Sequence, residues 1–184
     1  MIRARENPFR TERIETLLTF QPEWLGETWS ALLERWETLG RRVSVVGPHG
    51  SCKTTFLDGF SSLLQAHGYD VQRVTIHSMD LKAIPNLRSS AVVLLDYGGL
   101  RPARQPIARW KLHRRLRHQM DGCRGHIATR HWRGRRPVLL RTRTTAQMLA
   151  ECIRFVHAEH AFEGAEIAAL HRQNRGNIRS ALRE

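Results

Sequence analysis

Apolar residues recur along this chain with two periods, and the alternation of those periods predicts its elements. From Trp24 to Leu39, the residues Leu25, Trp29, Leu32, Leu33 and Trp36 fall at helical spacing, and Gly40 stops the run. The tryptophans of that helix are expected in the core. Residues 42–46 read as a strand, and Phe56, Leu57, Phe60, Leu63 and Leu64 mark a helix that ends near His67. Gly68-Tyr69-Asp70 is a turn, and Val71 to Ile76 alternates as a strand. Residues 78–90 form a connector containing Pro85. Ala91 to Asp96 is a continuous apolar run that ends in an acid, the pattern of a parallel strand buried on both faces.

The second half continues in the same way. Gly98 to Pro106 reads as a loop, followed by a helix from about Ile107 to Met120. Gly125 to His131 is a weaker strand signal, Trp132 to Pro137 an arginine-rich loop, and Val138 to Arg141 a further strand. Thr144 with Gln147 predicts a capping box for a helix carrying Met148, Leu149, Cys152, Ile153 and Val156. Beyond Glu163 two short helices are expected, parted at Gly176. Residues 1–20 read as irregular, with a turn at Asn7-Pro8-Phe9. Strands alternating with helices predict a parallel sheet in a layered α/β fold.

Candidate chemistry enters at the end of the first strand. Gly47-Pro48-His49-Gly50-Ser51-Cys52-Lys53-Thr54 lies between a strand and a helix, the context of a phosphate-binding loop. Backbone N–H groups of such a loop surround a β-phosphate, and the helix N-terminus adds its dipole. Lys53 would reach the β- and γ-phosphates, and Thr54 would offer its hydroxyl to Mg²⁺. Gly47, Pro48, His49, Gly50, Ser51, Cys52, Lys53, Thr54 and Thr55 are therefore the expected nucleotide contacts. The usual pattern has a second glycine where this chain has Cys52. A side chain there crowds the turn into the helix, whereas Gly50 permits a left-handed backbone. A thiol at a helix N-terminus beside a lysine is also a candidate for oxidation.

Asp96 ends the buried strand and is the expected second ligand of Mg²⁺, through water. The next residue is Tyr97, so no carboxylate follows Asp96 to orient an attacking water, and slow hydrolysis or simple binding is expected. Thr129, Arg130 and His131 fall where a neighbouring strand would end. Strand C-termini line the ligand crevice in sheets of this kind, so Thr129 or His131 is expected near the γ-phosphate or the water.

Composition adds partners. The chain has 184 residues, enough for one domain, and no apolar run near the length of about 20 that a membrane span needs. Its start lacks the apolar segment of a secretory leader, and its three cysteines make no disulfide framework. A cytoplasmic protein is expected. The formal charge is +13 and almost wholly arginine; Lys53, Lys82 and Lys111 are the only lysines. Thirteen arginines lie between Arg101 and Arg143, with Arg114, Arg115 and Arg117 on a predicted helix and Arg133, Arg135 and Arg136 beside Trp132. Guanidinium groups beside an aromatic ring suit a nucleic acid, and the charge alone would also suit an acidic protein. His113, His118, Cys123, His126 and His131 have no usual zinc spacing.

These motifs resemble the P-loop NTPase superfamily, and its AAA+-like branch more than its kinases. A helix precedes the first strand, Thr129 to His131 falls where that branch ends its sensor-one strand, and Arg175-Gly176-Asn177-Ile178-Arg179 resembles its sensor-two segment. The chain also resembles small bacterial P-loop proteins with an Asn-Pro-Phe start and a Gly-Asn-x-Arg tail. The resemblance implies an α/β three-layer P-loop NTPase fold with a parallel sheet and a short C-terminal helical lid. It implies an N-terminal segment over residues 1–40, a nucleotide-binding core over 41–143 and a lid over 144–184. It implies ATP or another nucleoside triphosphate with Mg²⁺, and a catalytic set of Lys53, Asp96, Thr129, His131 and Arg179, with Arg179 reaching from the lid to the γ-phosphate. Two other readings of the residues stay open. One is a small-molecule or nucleoside kinase with Asp80 or Asp121 as base. The other is a nucleic-acid-binding module whose nucleotide site has decayed.

Overall fold

The computed structural model of this chain describes residues 19–76, 85–97, 106–132, 134–156 and 162–182. Five strands form one sheet: β1 (Arg42–Val46), β2 (Val71–Thr75), β3 (Val92–Asp96), β4 (Gly125–Arg130) and β5 (Val138–Arg141). Their order is β2-β3-β4-β1-β5, and every neighbouring pair is parallel. Helices separate them: α1 (Trp29–Thr38) before β1, α2 (Lys53–Ala66) after it, and α3 (Pro106–Asp121) between β3 and β4. Three more follow the last strand: α4 (Ala146–Val156), α5 (Gly164–Gln173) and α6 (Ile178–Ala181).

The order has a physical consequence. From β1 the chain crosses through α2 to the far edge, then returns strand by strand through β3 and β4 to the other side of β1's gap. The last strand, β5, then lies on the opposite flank of β1. The C-terminal ends of β3, β4 and β1 therefore stand side by side, and they flank the point where the chain leaves β1 in a new direction.

Alternation along the strands divides the core between two faces. Val43, Val45, Val92, Leu94 and Ile127 meet Leu32 and Trp36 of α1 and Phe56, Leu57, Phe60 and Leu64 of α2. Aromatic rings dominate this layer: Phe56 lies 5.3 Å from Phe20, 5.8 Å from Trp29 and 5.4 Å from Phe60 between ring centroids. Val93, Leu95 and Ala128 meet Leu112, Leu116 and Met120 of α3 on the other face. The result is a three-layer α/β fold with a parallel sheet. A third cluster joins Met148, Leu149, Cys152 and Ile153 to Ile167, Ile178 and Leu182, holding α4, α5 and α6 together. Among the described residues no helix is long and apolar enough to cross a membrane.

Two local expectations are corrected. The helical pattern from Trp24 to Leu39 splits into a 3₁₀ turn over Pro22–Leu25 and the separate helix α1. Gly26, at φ 73°, ends the first turn, and Thr28 Oγ1 accepts the Ala31 N–H at 3.2 Å to start the second. Trp24 is drawn instead toward α4, where its Nε1 donates to Glu151 Oε2 at 2.5 Å. The cap of α4 is also displaced by one residue. Thr145 Oγ1 accepts the Met148 N–H at 3.1 Å, while the Thr144 hydroxyl donates to the Gly176 carbonyl. The tail competes for Thr144, and Thr145 takes over the cap.

The second face carries a buried histidine. His126 pairs in register with Val93 on one side and Arg42 on the other, and it is wholly buried. Arg136, from the short connection between β4 and β5, places Nη1 3.1 Å from its Nδ1. Burial, then the charges of Arg136 and Arg42, lower its pKa from 6.5 to about 3. The native imidazole thus stays neutral where the unfolded one takes a proton. Between those values the unfolded state binds more protons, so stability falls as pH drops from about 6.5 toward 3, by about 1 kcal/mol per pH unit. His126→Gln is expected to remove about one proton from the pH dependence of unfolding in that window, measured by urea denaturation at a series of pH values. Equal slopes for the two proteins would contradict this.

Candidate functional site

The loop after β1 is shaped by two left-handed residues. Gly50 has φ 71° and Cys52 has φ 59°. Glycine takes this conformation freely, while an L side chain pays roughly 1–2 kcal/mol for it. The cost of Cys52, expected as crowding, lies in this torsion. Cys52 is partly buried between the aromatic layer and the α4–α6 cluster, and it occupies the N-cap of α2 without a side-chain cap bond. The N-terminus of a long helix thus faces the loop, where its dipole favours an anion.

The loop is anchored on both sides of β1. The Gly47 N–H donates to the Arg130 carbonyl at 3.1 Å, at the end of β4. Ser51 Oγ donates to the Pro48 carbonyl at 2.9 Å and lies 2.7 Å from Thr142 Oγ1, just past β5. A Cβ at Gly47 would collide with that Thr142 hydroxyl. Pro48 and His49 form the exposed crest, Gly50 behind them is half-buried, and Thr55 lies half-buried in the first turn of α2. Lys53 Nζ turns back on the loop, donating to the carbonyls of Gly47 at 2.9 Å and Pro48 at 2.5 Å. Its ammonium thus stands in the concavity of the loop, satisfied by carbonyls that a phosphate would replace.

Asp96 is 3% exposed and both its oxygens accept hydroxyls. Thr54 Oγ1 donates to Oδ2 at 2.8 Å, and Thr129 Oγ1 donates to Oδ1 at 2.7 Å. Thr129 Oγ1 also accepts the Tyr97 N–H at 3.0 Å, fixing the chain as it leaves β3. A buried carboxylate beside a threonine hydroxyl is a hard-oxygen donor pair suited to Mg²⁺, which takes few protein ligands and completes its shell with phosphates and water. Among the described residues no group of three or more His, Cys, Asp or Glu stands together to hold another metal.

His131 lies against the loop, its ring 3.7 Å from that of His49. Burial, then the charges of Lys53 and His49, hold its pKa below the usual histidine value. A neutral imidazole is thus favoured beside Lys53. The expected site residues of the loop, with Asp96, Thr129 and His131, come together at one end of the sheet. Arg179 lies on α6, and its side chain lies outside the described residues. Asp80 lies outside them as well. Asp121 is at the end of α3, before β4 begins, so it stands at the opposite end of the strands from the loop.

Several residues at the site carried no local signal. Arg73 of β2 pairs with Asp58 of α2, and its Nη2 lies 4.0 Å from Asp96 Oδ2 and 3.5 Å from the Thr54 carbonyl. In the sequence Arg73 is only a polar position in an alternating strand. Thr142 is buried beyond the C-terminus of β5, a position to which the argument made for Thr129 applies equally. The tail docks directly on the loop: the Asn177 side chain leaves no room for a Cβ at Gly50, while its Oδ1 accepts the Ser180 N–H at 3.1 Å and caps α6. Gly50 is therefore required twice, by its backbone angle and by this approach.

No family model matches the chain, and no curated protein matches it. An arginine-to-alanine variant of RuvB from Thermotoga maritima is similar in structure, with a TM-score of 0.53 at 20% identity. The match covers 96% of this chain and 63% of that one, so the chain spans less than two thirds of its neighbour's length. At this identity the likeness is one of fold, the P-loop NTPase fold that the sheet and loop already describe.

Cys52→Gly is expected to raise the unfolding free energy by about 0.5–1 kcal/mol, and Cys52→Val to lower it, because only the first relieves the left-handed torsion. Urea denaturation of the three proteins measures this. A Gly variant no more stable than wild type would mean that residue 52 is unstrained.

Proposed function

We propose that this chain binds a nucleoside triphosphate, ATP being the first candidate, together with Mg²⁺, and hydrolyses it slowly or when a partner stimulates it. The observation that carries this reading is the pairing of Thr54 with Asp96 directly beneath a loop that wraps the Lys53 ammonium. Chance glycine turns before helices do not assemble a cation, a hydroxyl and a buried carboxylate at one point.

In this reading the amides of residues 48–54 and Lys53 take the phosphates, with Thr55 continuing the contact along α2. Lys53 exchanges its carbonyl partners for phosphate oxygens. Thr54 and Asp96 hold Mg²⁺, and the Thr54–Asp96 bond opens to admit it. The ion neutralises charge on the phosphates when bound. Thr129, already fixed to Asp96, or the neutral His131, orients the attacking water. Hydrolysis is slow because no carboxylate follows Asp96, where Tyr97 stands instead, and Asp58 beside it is tied to Arg73.

The finer assignment is the AAA+-like branch, with residues 41–143 as the nucleotide-binding core, 144–184 as a short lid and 1–40 as a segment packed on the core. The bond from Thr144 to Gly176 and the contact of Asn177 with Gly50 support a lid that reads the loop, and Arg179 would extend from it to the γ-phosphate. The likeness to RuvB supports the branch at the level of fold alone. Cysteines 52, 123 and 152 are thiols rather than disulfides, in keeping with the proposed cytoplasmic setting. Of the two candidate bases in the kinase alternative, Asp121 is disfavoured by its position, remote from the loop.

Calorimetric titration of Mg·ATP tests the reading. Wild type is expected to bind in the micromolar range, and Lys53→Ala to lose about tenfold or more in affinity. Failure of wild type to bind, with binding gained by Cys52→Gly, would mean a decayed site. Equal binding by wild type and Lys53→Ala would mean that the loop is not the phosphate site.

A further inference from the structure

The face of the sheet opposite α1 and α2 is built unlike the other. Among the described residues α3 is the helix that covers it, and the chain passes from β4 to β5 by the short connection between Arg130 and Val138. That connection crosses beside the end of α3, where Arg136 Nη2 lies 3.5 Å from Asp121 Oδ1. Arg42 Nη2 donates to the Asp121 and Cys123 carbonyls at 3.2 Å each, on the same flank. The loop and the helix therefore form one continuous surface.

Its charge is one-sided. Leu112, Leu116 and Met120 turn into the core, which leaves Lys111, Arg114, Arg115 and Arg117 exposed over about 10 Å of helix. Arg117 and Arg130 both press on Arg136, holding its pKa below the usual guanidinium value together with burial, the largest cause. Arg130 Nε is buried without a hydrogen-bond partner among the described residues. Arg136 pairs with Asp121. Arginines crowded together repel one another, and a polyanion laid across them offsets that repulsion.

Trp132, two residues beyond Arg130 in the same connection, has its side chain 83% exposed. No exposed apolar patch surrounds it: among the described residues the only other large exposed apolar side chain is Phe162, at 46%. A protein-docking face would gather apolar neighbours around such a ring. A lone indole in the connection that runs from Arg130 to Arg136 instead offers a stacking platform beside a phosphate-binding field.

We propose that the α3 face and the Trp132 loop bind single-stranded nucleic acid, with a base stacked on Trp132 and backbone phosphates on Arg117, Arg130 and the exposed arginines of α3. This surface borders the phosphate loop, whose Gly47 N–H donates to the Arg130 carbonyl, but its affinity does not require nucleotide. It is nevertheless placed to feel the nucleotide site, because Trp132 follows His131, whose ring lies on His49.

The test is fluorescence anisotropy with a labelled oligo-dT of about 15 nucleotides, without ATP, over a series of salt concentrations. Wild type is expected to bind, with affinity falling steeply as salt rises. Trp132→Ala is expected to weaken binding about tenfold with little change in salt slope. Arg117→Gln is expected to lessen that slope by about 0.7. Both side chains are exposed, and unchanged urea midpoints would show that the variants fold. The proposal is overturned if wild type does not bind at low salt, or if Trp132→Ala binds as wild type does. It is equally overturned if a duplex of the same length, or polyaspartate, competes as well as the single strand, since the surface would then select charge alone.

Discussion

Everything at this site depends on how the chain turns from β1 into α2. Within six residues it leaves a buried strand, makes two left-handed steps at Gly50 and Cys52, and enters a helix of 14 residues. Hydrogen bonds from Gly47 to Arg130 and from Ser51 to Thr142 fix the loop to the strands on either side of β1. The concavity that results is lined by amides and by Lys53, and its position is set by the sheet. The strain at Cys52 is held in place by those anchors and by apolar packing on both sides of the thiol, so the loop keeps its form without the second glycine.

The strand order supplies the rest. Because β4 lies between β1 and β3, Thr129 stands between the loop and Asp96 and ties the carboxylate to the chain beyond it. Thr54 reaches the same carboxylate from α2. Three elements distant in sequence thus converge on one acid. Arg73 and Asp58 add a second layer around it, placing a guanidinium beside the point where a divalent cation would enter. The C-terminal helices close the other side, with Asn177 seated on Gly50. Each contact depends on the sheet's alignment of strand ends, and that alignment rests on the two apolar layers beneath.

Much of this was legible in the chain, for reasons that can be named. The strands announce themselves because parallel strands buried on both faces must be continuously apolar, as Val92 to Leu95 are. The loop is legible because few other uses place Gly, Lys and Thr at that spacing after a strand. Asp96 and Thr129 follow from the rule that strand C-termini line the crevice. What the chain concealed was set by partners far away in sequence. The division of the helix before β1 depends on Thr28 outcompeting helical continuation and on Trp24 finding Glu151. The shift of a cap from Thr144 to Thr145 depends on the tail claiming the first hydroxyl. The pairing of Arg73 with Asp58 leaves no periodic trace, and neither does the covering of His126 by Arg136. Torsion at residue 52 was hidden behind a more obvious reading of side-chain bulk.

The central claim is that the loop over residues 47–54 takes phosphates while Thr54 and Asp96 take the cation. A crystal structure with Mg²⁺ and a non-hydrolysable ATP analogue tests it most directly. The account predicts the β-phosphate within the loop, Lys53 turned from the Gly47 and Pro48 carbonyls onto phosphate oxygens, and Mg²⁺ on Thr54 with Asp96 close by. A nucleotide bound elsewhere, with Lys53 still bonded to its own loop and Thr54 still bonded to Asp96, would contradict it.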